Sequence, residues 1–352
     1  FEPPPVGVLI NQISDGLGRT LTFTHQGGLM KSVSDGTRTV SFAHTGDDLT
    51  TVTDARGNIT TYAYDPGGLM TSFTRPETNT PFSQTFGASG EVLTQTDSEM
   101  NTSTFAYAPP NTSITDPEGE VRAHTHNDAG VLTNSQDRSG LSVQIGVDAA
   151  GRREAVTDRL GDTMTFTYDD ASGNPSSITH ADGTSSAFTY SDRVVGALTV
   201  RDLTGATHRD GTTEAWSYDA AGNPISHTDR LGNTATATFN AAGQPLTVTN
   251  TAGGTTTLTY FVEGIIDKVQ DPALHTTEYW YDSLRRPVVI FYPDSNLVSF
   301  SYDANDNLTS RTNESGTTTN FGYDANYNLV SITCQVGNYQ FAYDGNDRLV
   351  TR

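Results

Sequence analysis

Carboxylate and amide side chains recur in short clusters along the chain, and metal binding is the first chemistry they suggest. Asp303, Asn305 and Asn307 stand at alternate positions, as the first ligands of a calcium-binding loop do. Such a loop needs glycine at its sixth position for a sharp bend, but this chain has Leu308 there. The same sequence begins again at Tyr323 without the acidic residue that should end the loop. The pattern therefore predicts a hairpin turn, and we expect no metal and no cofactor.

Catalytic groups are equally hard to assemble from this sequence. Cys334, the single cysteine, lies in an alternating segment that favours a half-buried side chain over a nucleophile. His124 and His126 are two positions apart and could share a face of a strand, but no third ligand accompanies them. The pair Asp47 and Asp48 lies on a turn, whereas acid and base catalysis needs two carboxyl groups in distinct environments. We therefore predict no catalytic site and no enzyme activity.

The charge balance excludes whole classes of partner. The 352 residues carry 20 Lys and Arg against 41 Asp and Glu, a formal net charge of −21 without a basic face. Such a chain would repel nucleic acid and anionic membranes. No apolar stretch reaches the length of a membrane span, and the first residues lack the pattern of a signal peptide. We expect neither a nucleic-acid partner nor a membrane-spanning segment.

Seven aspartates directly follow a tyrosine, and this dyad marks an internal repeat. Before the dyad stands an alternating segment such as TTYAYD or EAWSYD, which is typical of a half-buried strand. Repeat-defining dyads are Tyr64-Asp65, Tyr168-Asp169, Tyr218-Asp219, Tyr281-Asp282, Tyr302-Asp303, Tyr323-Asp324 and Tyr343-Asp344.

A second kind of turn alternates with the Tyr-Asp turn. Asp at its first position can accept a hydrogen bond from the backbone two residues on, and Gly at its fourth position tolerates a positive φ. A turn then comes about every ten or eleven residues, so each repeat of about 21 residues is a β-hairpin. Residues that define this second turn are Asp54 with Gly57, Asp116 with Gly119, Asp137 with Gly140, Asp158 with Gly161, and Asp229 with Gly232.

The periodicity predicts an all-β protein, because no stretch holds the apolar spacing of a helix. We expect a lead-in or linker over residues 1–14 and an array of about fifteen hairpins over residues 15–352. The array stops in the middle of a repeat and so looks truncated at its C-terminal end. Two intervals depart from the period. The repeat signature is indistinct over residues 75–86, and residues 203–215 lengthen the interval that contains them.

The unit YDxxGNxxxxTDxxGN, clearest over residues 216–250, resembles the YD repeat, also called the Rhs (rearrangement hot spot) repeat. This family includes bacterial polymorphic toxins, the cocoon-forming components of insecticidal toxin complexes, and teneurins. The resemblance implies antiparallel hairpins joined into one continuous sheet that spirals into an open or partial hollow shell. In family members the shell commonly encloses a toxic C-terminal segment or presents a surface for adhesion. The family's conserved closing segment, with its aspartate-dependent cleavage site, is missing from this sequence.

A β-propeller is the alternative architecture, because two hairpins have about the length of a four-stranded blade. A propeller should repeat its signature at every second hairpin. Here the dyads at Tyr281, Tyr302 and Tyr323 recur at the period of a single hairpin. The continuous sheet is therefore the favoured prediction.

These observations favour a non-catalytic shell that encapsulates or displays a linked, toxin-like segment of the same polypeptide. The alternative is an extracellular adhesion surface that binds carbohydrate, since rows of aromatic residues with Asp and Asn nearby could stack on sugar rings. Expected partners are further segments of the same chain, with glycans or cell-surface proteins as the second choice. By resemblance we expect a protein that is secreted or held at a bacterial cell surface.

Overall fold

The computed structural model describes residues 9–15, 18–169 and 172–352, and this part of the chain is entirely β. It contains 34 strands and no helix, so it also holds no helix able to cross a membrane. Of these strands, 32 form one antiparallel sheet and the last two pair with each other. The predicted fold class, an all-β array of antiparallel hairpins, is confirmed. Of the predicted lead-in over residues 1–14, residues 1–8 lie outside the described residues.

The first half of the chain contains β1 (Gln12–Ser14), β2 (Thr20–Gln26), β3 (Leu29–Ser34), β4 (Thr39–Thr45), β5 (Asp48–Thr53), β6 (Ile59–Tyr64), β7 (Met70–Thr74), β8 (Phe82–Phe86), β9 (Val92–Asp97), β10 (Thr102–Ala108), β11 (Asn111–Thr115), β12 (Val121–His126), β13 (Leu132–Gln136), β14 (Ser142–Val147), β15 (Arg153–Thr157), β16 (Thr163–Tyr168) and β17 (Pro175–Thr179).

The second half contains β18 (Ser185–Val195), β19 (Leu198–Thr207), β20 (Thr213–Tyr218), β21 (Pro224–Thr228), β22 (Thr234–Phe239), β23 (Pro245–Thr249), β24 (Thr255–Tyr260), β25 (Ile266–Gln270), β26 (Thr276–Tyr281), β27 (Pro287–Phe291), β28 (Leu297–Tyr302), β29 (Leu308–Thr312), β30 (Thr318–Tyr323), β31 (Leu329–Cys334), β32 (Gly337–Gln340), β33 (Ala342–Tyr343) and β34 (Leu349–Thr351).

Side-chain alternation explains why these segments are strands. Strand β22 reads TATATF, and its residues are alternately exposed and half-buried along the strand. Thr and aromatic residues suit such a pleated surface, and their period of two places each kind on its own face. Fully buried apolar side chains are scarce in the described residues, where only Ala206 and Val298 qualify. The sheet is therefore held together by backbone pairing and turn chemistry more than by a thick apolar core.

The chain divides into two compact units. Unit 1 comprises Phe1–Thr104, Tyr260–Asp267 and Thr277–Arg352, and unit 2 comprises Phe105–Thr259 and Lys268–Thr276. Within unit 2, consecutive strands pair antiparallel without interruption from β11 through β24. A propeller blade would end after four strands. The propeller alternative is therefore wrong.

The long interval in the repeat lies elsewhere than predicted. Residues 203–215, where the sequence placed the lengthened interval, form the end of β19, an ordinary turn and the start of β20. The additional residues belong to the preceding hairpin, where β18 has 11 residues and β19 has 10. A period shows that an interval is long, but it cannot show which turn within the interval has grown.

Candidate functional site

The repeated turn is the only arrangement of polar side chains that the sequence predicted in many copies, and Asp219 shows its geometry. The carboxylate Oδ1 of Asp219 accepts the backbone N–H groups of Ala221 and Asn223, each at 2.9 Å. Its other oxygen, Oδ2, accepts the side-chain amide of Asn223 at 2.8 Å. The hydrogen bonds from Asn223 lower the pKa of Asp219 below its ordinary value. One carboxylate thus satisfies three donors of a five-residue turn, which explains both Asp and Asn in the repeat.

The other predicted aspartates occupy the same place. Asp169 accepts the backbone N–H of Ser172 at 2.9 Å, in a turn one residue longer than the rest. Elsewhere the carboxylate accepts the backbone N–H two or four residues on, or both, at Asp54, Asp65, Asp116, Asp137, Asp158, Asp229, Asp282, Asp303, Asp324 and Asp344.

Glycine at the fourth turn position is explained by the backbone. Gly161 has φ +91°, and its N–H donates to the carbonyl of Asp158 at 3.1 Å. Only glycine adopts this region without strain. The remaining predicted glycines also have positive φ, at Gly57, Gly119, Gly140 and Gly232.

The tyrosine of each dyad directly follows a β-bulge. In β20 the register shifts between Ser217 and Tyr218, and the hydroxyl of Tyr218 donates to the carbonyl of Leu203 at 2.9 Å. A bulge re-aims the next side chain, and here it lets the tyrosine bond to β19, the paired strand that directly precedes β20. The same hydroxyl contact is made by Tyr64, Tyr168, Tyr302 and Tyr343. Tyr281 and Tyr323 also follow a bulge, and burial raises the pKa of both.

These predicted residues are therefore spread along the array instead of being gathered at one centre. In the part of the chain that the structure describes, no group of three or more His, Cys, Asp or Glu side chains is suited to a metal ion. Cys334 is half-buried, and its thiol lies 3.3 Å from the carbonyl of Gly337. A bulge separates His124 from His126, which stands where other repeats have tyrosine.

Sequence reasoning missed a set of contacts between turns far apart in the chain, all of them inside unit 1. Each late turn lies against two early turns, about 250 residues before it. Three late turns (303–307, 324–328 and 344–348) contact four early turns (35–38, 54–58, 75–79 and 97–101), and we call these contacts the zipper.

Asp54 contacts two of the late turns in the zipper. Its Oδ2 accepts the side-chain amides of Asn58 and Asn305, each at 3.0 Å, and the hydroxyl of Tyr327. Burial raises the pKa of Asp54, but the hydrogen bonds from Tyr327 and Asn58 outweigh it and leave the pKa lowered. Burial and the bond to Asp54 raise the pKa of Tyr327 to about 12. The pair therefore carries a negative carboxylate and a neutral phenol at neutral pH.

Arginine bridges the first late turn to the first early turn. Arg38 approaches Asp306 at 2.8 Å, and Arg286 approaches the same carboxylate at 2.9 Å. Arg56, from the next early turn, lies 3.3 Å from Asp303. This end of the zipper is thus a network of charges, and networks are stronger than isolated surface pairs.

Amides and a carboxylate continue the zipper at the later turns. Asn326 donates to the side-chain oxygen of Asn79 at 2.7 Å, and Arg75 forms an ion pair with Asp347. Asn346 donates to Asp97 at 3.0 Å. The third residue of the turn thus bonds across the zipper in all three late turns, at Asn305, Asn326 and Asn346.

The fourth position of the late turns breaks the glycine rule. Asp306, Tyr327 and Asp347 all have positive φ, between 58° and 70°. The same is true of Arg285 in the turn before them, whose guanidinium lies 3.4 Å from Asp15. A side chain there costs about 1 kcal/mol in backbone strain. Asp306, Tyr327 and Asp347 each contact an early turn, and Arg285 contacts Asp15, so the strain is offset by a contact that glycine cannot make. Missing glycine in YDANDN, YDANYN and YDGNDR was the available sequence signal.

In unit 2, ion pairs link several turns to the neighbouring turn. Arg159, the second residue of its turn, lies 2.9 Å from Asp137 in the equivalent turn of the preceding repeat. Arg138 stands in the same relation to Asp116 at 3.4 Å. These pairs stiffen adjacent hairpins without joining distant ones.

A comparison with protein families identifies the repeat in four segments of the chain. The family model described as RHS Repeat matches residues 45–80, 147–185, 201–234 and 302–338. These four segments are Rhs repeats. The predicted resemblance to this family is thereby confirmed, and the repeats are the hairpins described above. A search of curated proteins found no match.

Several solved structures are similar to this chain. A crystal structure of TcdB2-TccC3-TEV is 12% identical over 97% of this chain and 25% of its own, with a TM-score of 0.40. The crystal structure of TcdB2-TccC3 is 13% identical over 94% of this chain and 24% of its own, with a TM-score of 0.39. A structure of a Photorhabdus luminescens Tc holotoxin pore is 13% identical over 94% of this chain and 24% of its own, with a TM-score of 0.38. The chain spans about a quarter of the length of these proteins, and TM-scores this low add no argument of their own.

Proposed function

We propose that this chain is a non-catalytic Rhs-repeat scaffold whose sheet forms the wall of a shell around a linked segment of the same polypeptide. The zipper carries the proposal. Strand pairing joins hairpins side by side, and in unit 1 the zipper also joins their turn ends. A sheet bonded in both directions can enclose a volume, whereas a ribbon bonded only along its length leaves its turns apart.

The two faces of the strands support the same proposal. In β24, Thr256, Leu258 and Tyr260 are half-buried, and the threonines between them are exposed. A wall needs one face for solvent and another for its contents. Few side chains are fully buried, so the aromatic face is free to line a cavity instead of filling a core.

The state of the aspartates supports a structural role over a catalytic one. A general base needs a free lone pair directed at a substrate. At Asp219 and Asp229 both carboxylate oxygens accept donors from their own turn, and these bonds lower both pKa values. The linked segment is the expected partner, and export from the cell is the expected setting.

Small-angle scattering on the 352-residue chain tests the proposal. A compact solid protein of this length has a radius of gyration of about 20 Å. We expect a larger value and a distance distribution with the depleted short distances of a hollow or crescent body. A solid-sphere profile at about 20 Å would overturn the shell.

Carbohydrate binding at a cell surface is the second candidate, and Trp280 favours it. The indole is 51% exposed and its N–H donates to Glu278 at 3.2 Å, an arrangement that can stack on a sugar and bond a hydroxyl. Its ring also packs edge-on against Phe291, 4.8 Å between centroids. A glycan array with the wild-type chain and Trp280→Ala separates the candidates, since only the adhesion function predicts signals that the variant loses.

A further inference from the structure

One hairpin extends past the turns of its neighbours in unit 2. Tyr190 holds the usual tyrosine place, with its hydroxyl 2.8 Å from the carbonyl of Pro175 and a bulge before it. Other repeats turn back at the next residue. Here β18 and β19 stay paired from Ser191 with Asp202 to Val195 with Leu198. We call residues 191–202 the projecting hairpin.

Two arginines clamp the base of the projecting hairpin to the turns on either side. Arg193 binds Asp202 across the hairpin at 2.6 Å and donates to the carbonyl of Ala221 in the following turn at 3.3 Å. Arg201 lies 3.0 Å from Asp169 in the preceding turn. A hairpin held from both sides is presented rigidly, unlike a loop that has only grown in length.

Beyond the clamp, the tip from Val194 to Val200 carries no charge, and Thr199 is its only polar side chain. Val194 is 72% exposed and Leu198 is 71% exposed, with Val195 and Val200 also exposed. Val195 lies opposite Leu198 on one face of the hairpin, whereas Val194 lies opposite Thr199 on the other. Apolar side chains therefore stand on both faces and at the end.

We propose that the projecting hairpin inserts its tip into the interfacial region of a neutral lipid bilayer. A flat protein surface would cover one face of the tip and leave the other in water, but an apolar phase surrounds both. Shallow insertion of a few apolar side chains is enough for weak, reversible binding to a membrane.

The small area of the tip and the net charge of the chain argue against a partner protein, a second copy of the chain and anionic lipid. A stable protein interface buries about 800 Å² on each partner, from roughly 20 to 30 residues, and the tip offers four apolar side chains. The net charge of −21 disfavours a second copy and anionic lipid alike. The arginines at the base are already paired with carboxylates, so they add no net attraction to anionic headgroups.

Flotation of the intact chain with phosphatidylcholine vesicles tests the proposal. We expect the protein to float with lipid at about millimolar concentration, and Val194→Asp combined with Leu198→Asp to lower the bound fraction at least about tenfold. Leu231→Asp is the matched control, because Leu231 is 87% exposed at an ordinary unit 2 turn. Vesicles containing phosphatidylserine should bind less protein.

Folding of the double variant is checked by hydrogen exchange at β18 and β19, where the clamp should keep protection unchanged. Absence of flotation would overturn the proposal, as would an equal loss for Leu231→Asp. Concentration-dependent self-association that the double variant abolishes, without lipid binding, would assign the tip to a second copy instead. The outcome is independent of the scattering experiment on the shell.

Discussion

Turns of the same length are built differently in the two units. In unit 2 the fourth position is glycine in turn after turn, as at Gly119, Gly161 and Gly232. In unit 1 the late turns place Asp306, Tyr327 or Asp347 in the same left-handed conformation. Of the eight non-glycine residues with positive φ in the described chain, seven lie in unit 1 and one, Leu274, in unit 2.

The difference teaches what glycine does in this repeat. Where a turn faces solvent, nothing rewards a side chain at the fourth position, so glycine relieves the backbone. Where a turn lies against another turn, a side chain can bond across and offset about 1 kcal/mol of strain. In the three late turns of the zipper, the loss of glycine thus accompanies a side-chain contact between distant turns.

The largest effect should come from forcing a side chain into a solvent-facing turn. Gly232 has φ +84° and open space around its missing Cβ, so Gly232→Val suffers from backbone strain alone. We expect local stability to fall by about 2 kcal/mol, measured from hydrogen exchange of β21 and β22. Gly232→Asn is the control, with a smaller loss because Asn tolerates this region. Equal losses would show that φ is not the reason for glycine.

The second largest effect is a change in stability on substitution to glycine that should have opposite signs in the two units. Tyr327→Gly relieves strain but removes the bond to Asp54, and we expect a loss of about 1 kcal/mol in protection of the neighbouring strands. Leu274→Gly relieves the same strain at a side chain that is 74% exposed, and should leave stability unchanged or raise it by a few tenths of a kcal/mol. Losses in both variants would refute the zipper as the reason for Tyr327.

Charge coupling sharpens the comparison at smaller energies. A double-mutant cycle of Arg38→Met with Asp306→Asn should give a coupling energy of about 0.5 to 1 kcal/mol, because the two side chains belong to a network. Salt should reduce this coupling energy, because both side chains are partly exposed. The matched pair in unit 2, Arg159 with Asp137, should couple by less than about 0.5 kcal/mol. Chemical denaturation at two salt concentrations measures both. Equal coupling would mean that the network adds nothing.

The smallest effect is the pH dependence of a single zipper carboxylate. The pKa of Asp54 in the folded chain lies below its ordinary value of 3.8, so its contribution is present above that value. The contribution is lost as the pH falls through the lower, folded pKa. Hydrogen exchange around residues 54–58 and 324–328 should therefore weaken below about pH 4. In Asp54→Asn this acid dependence should be reduced, and an unchanged profile would assign it to other carboxylates.

Local features of the molecule were predictable because each depends on residues close in sequence. Asp158 reaches the N–H groups of residues 160 and 162, which any tight turn brings near it. The alternation in β22 and the glycine at residue 161 follow from the same short-range sterics. The sequence also marked one residue of the zipper, because Tyr327 stands where other repeats have glycine.

The partners of that contact were decided by the tertiary structure alone. Whether residue 327 meets Asp54 or another early turn depends on the twist between hairpins, summed over about 270 residues. A small change in twist per hairpin would shift the zipper by a whole turn, and no single residue encodes that sum. The same holds for the projecting hairpin, whose length showed as an irregular interval while its position depended on where strand pairing ends. Composition and period determined the strands, the turns and the family, and the accumulated geometry of the sheet determined which turns touch.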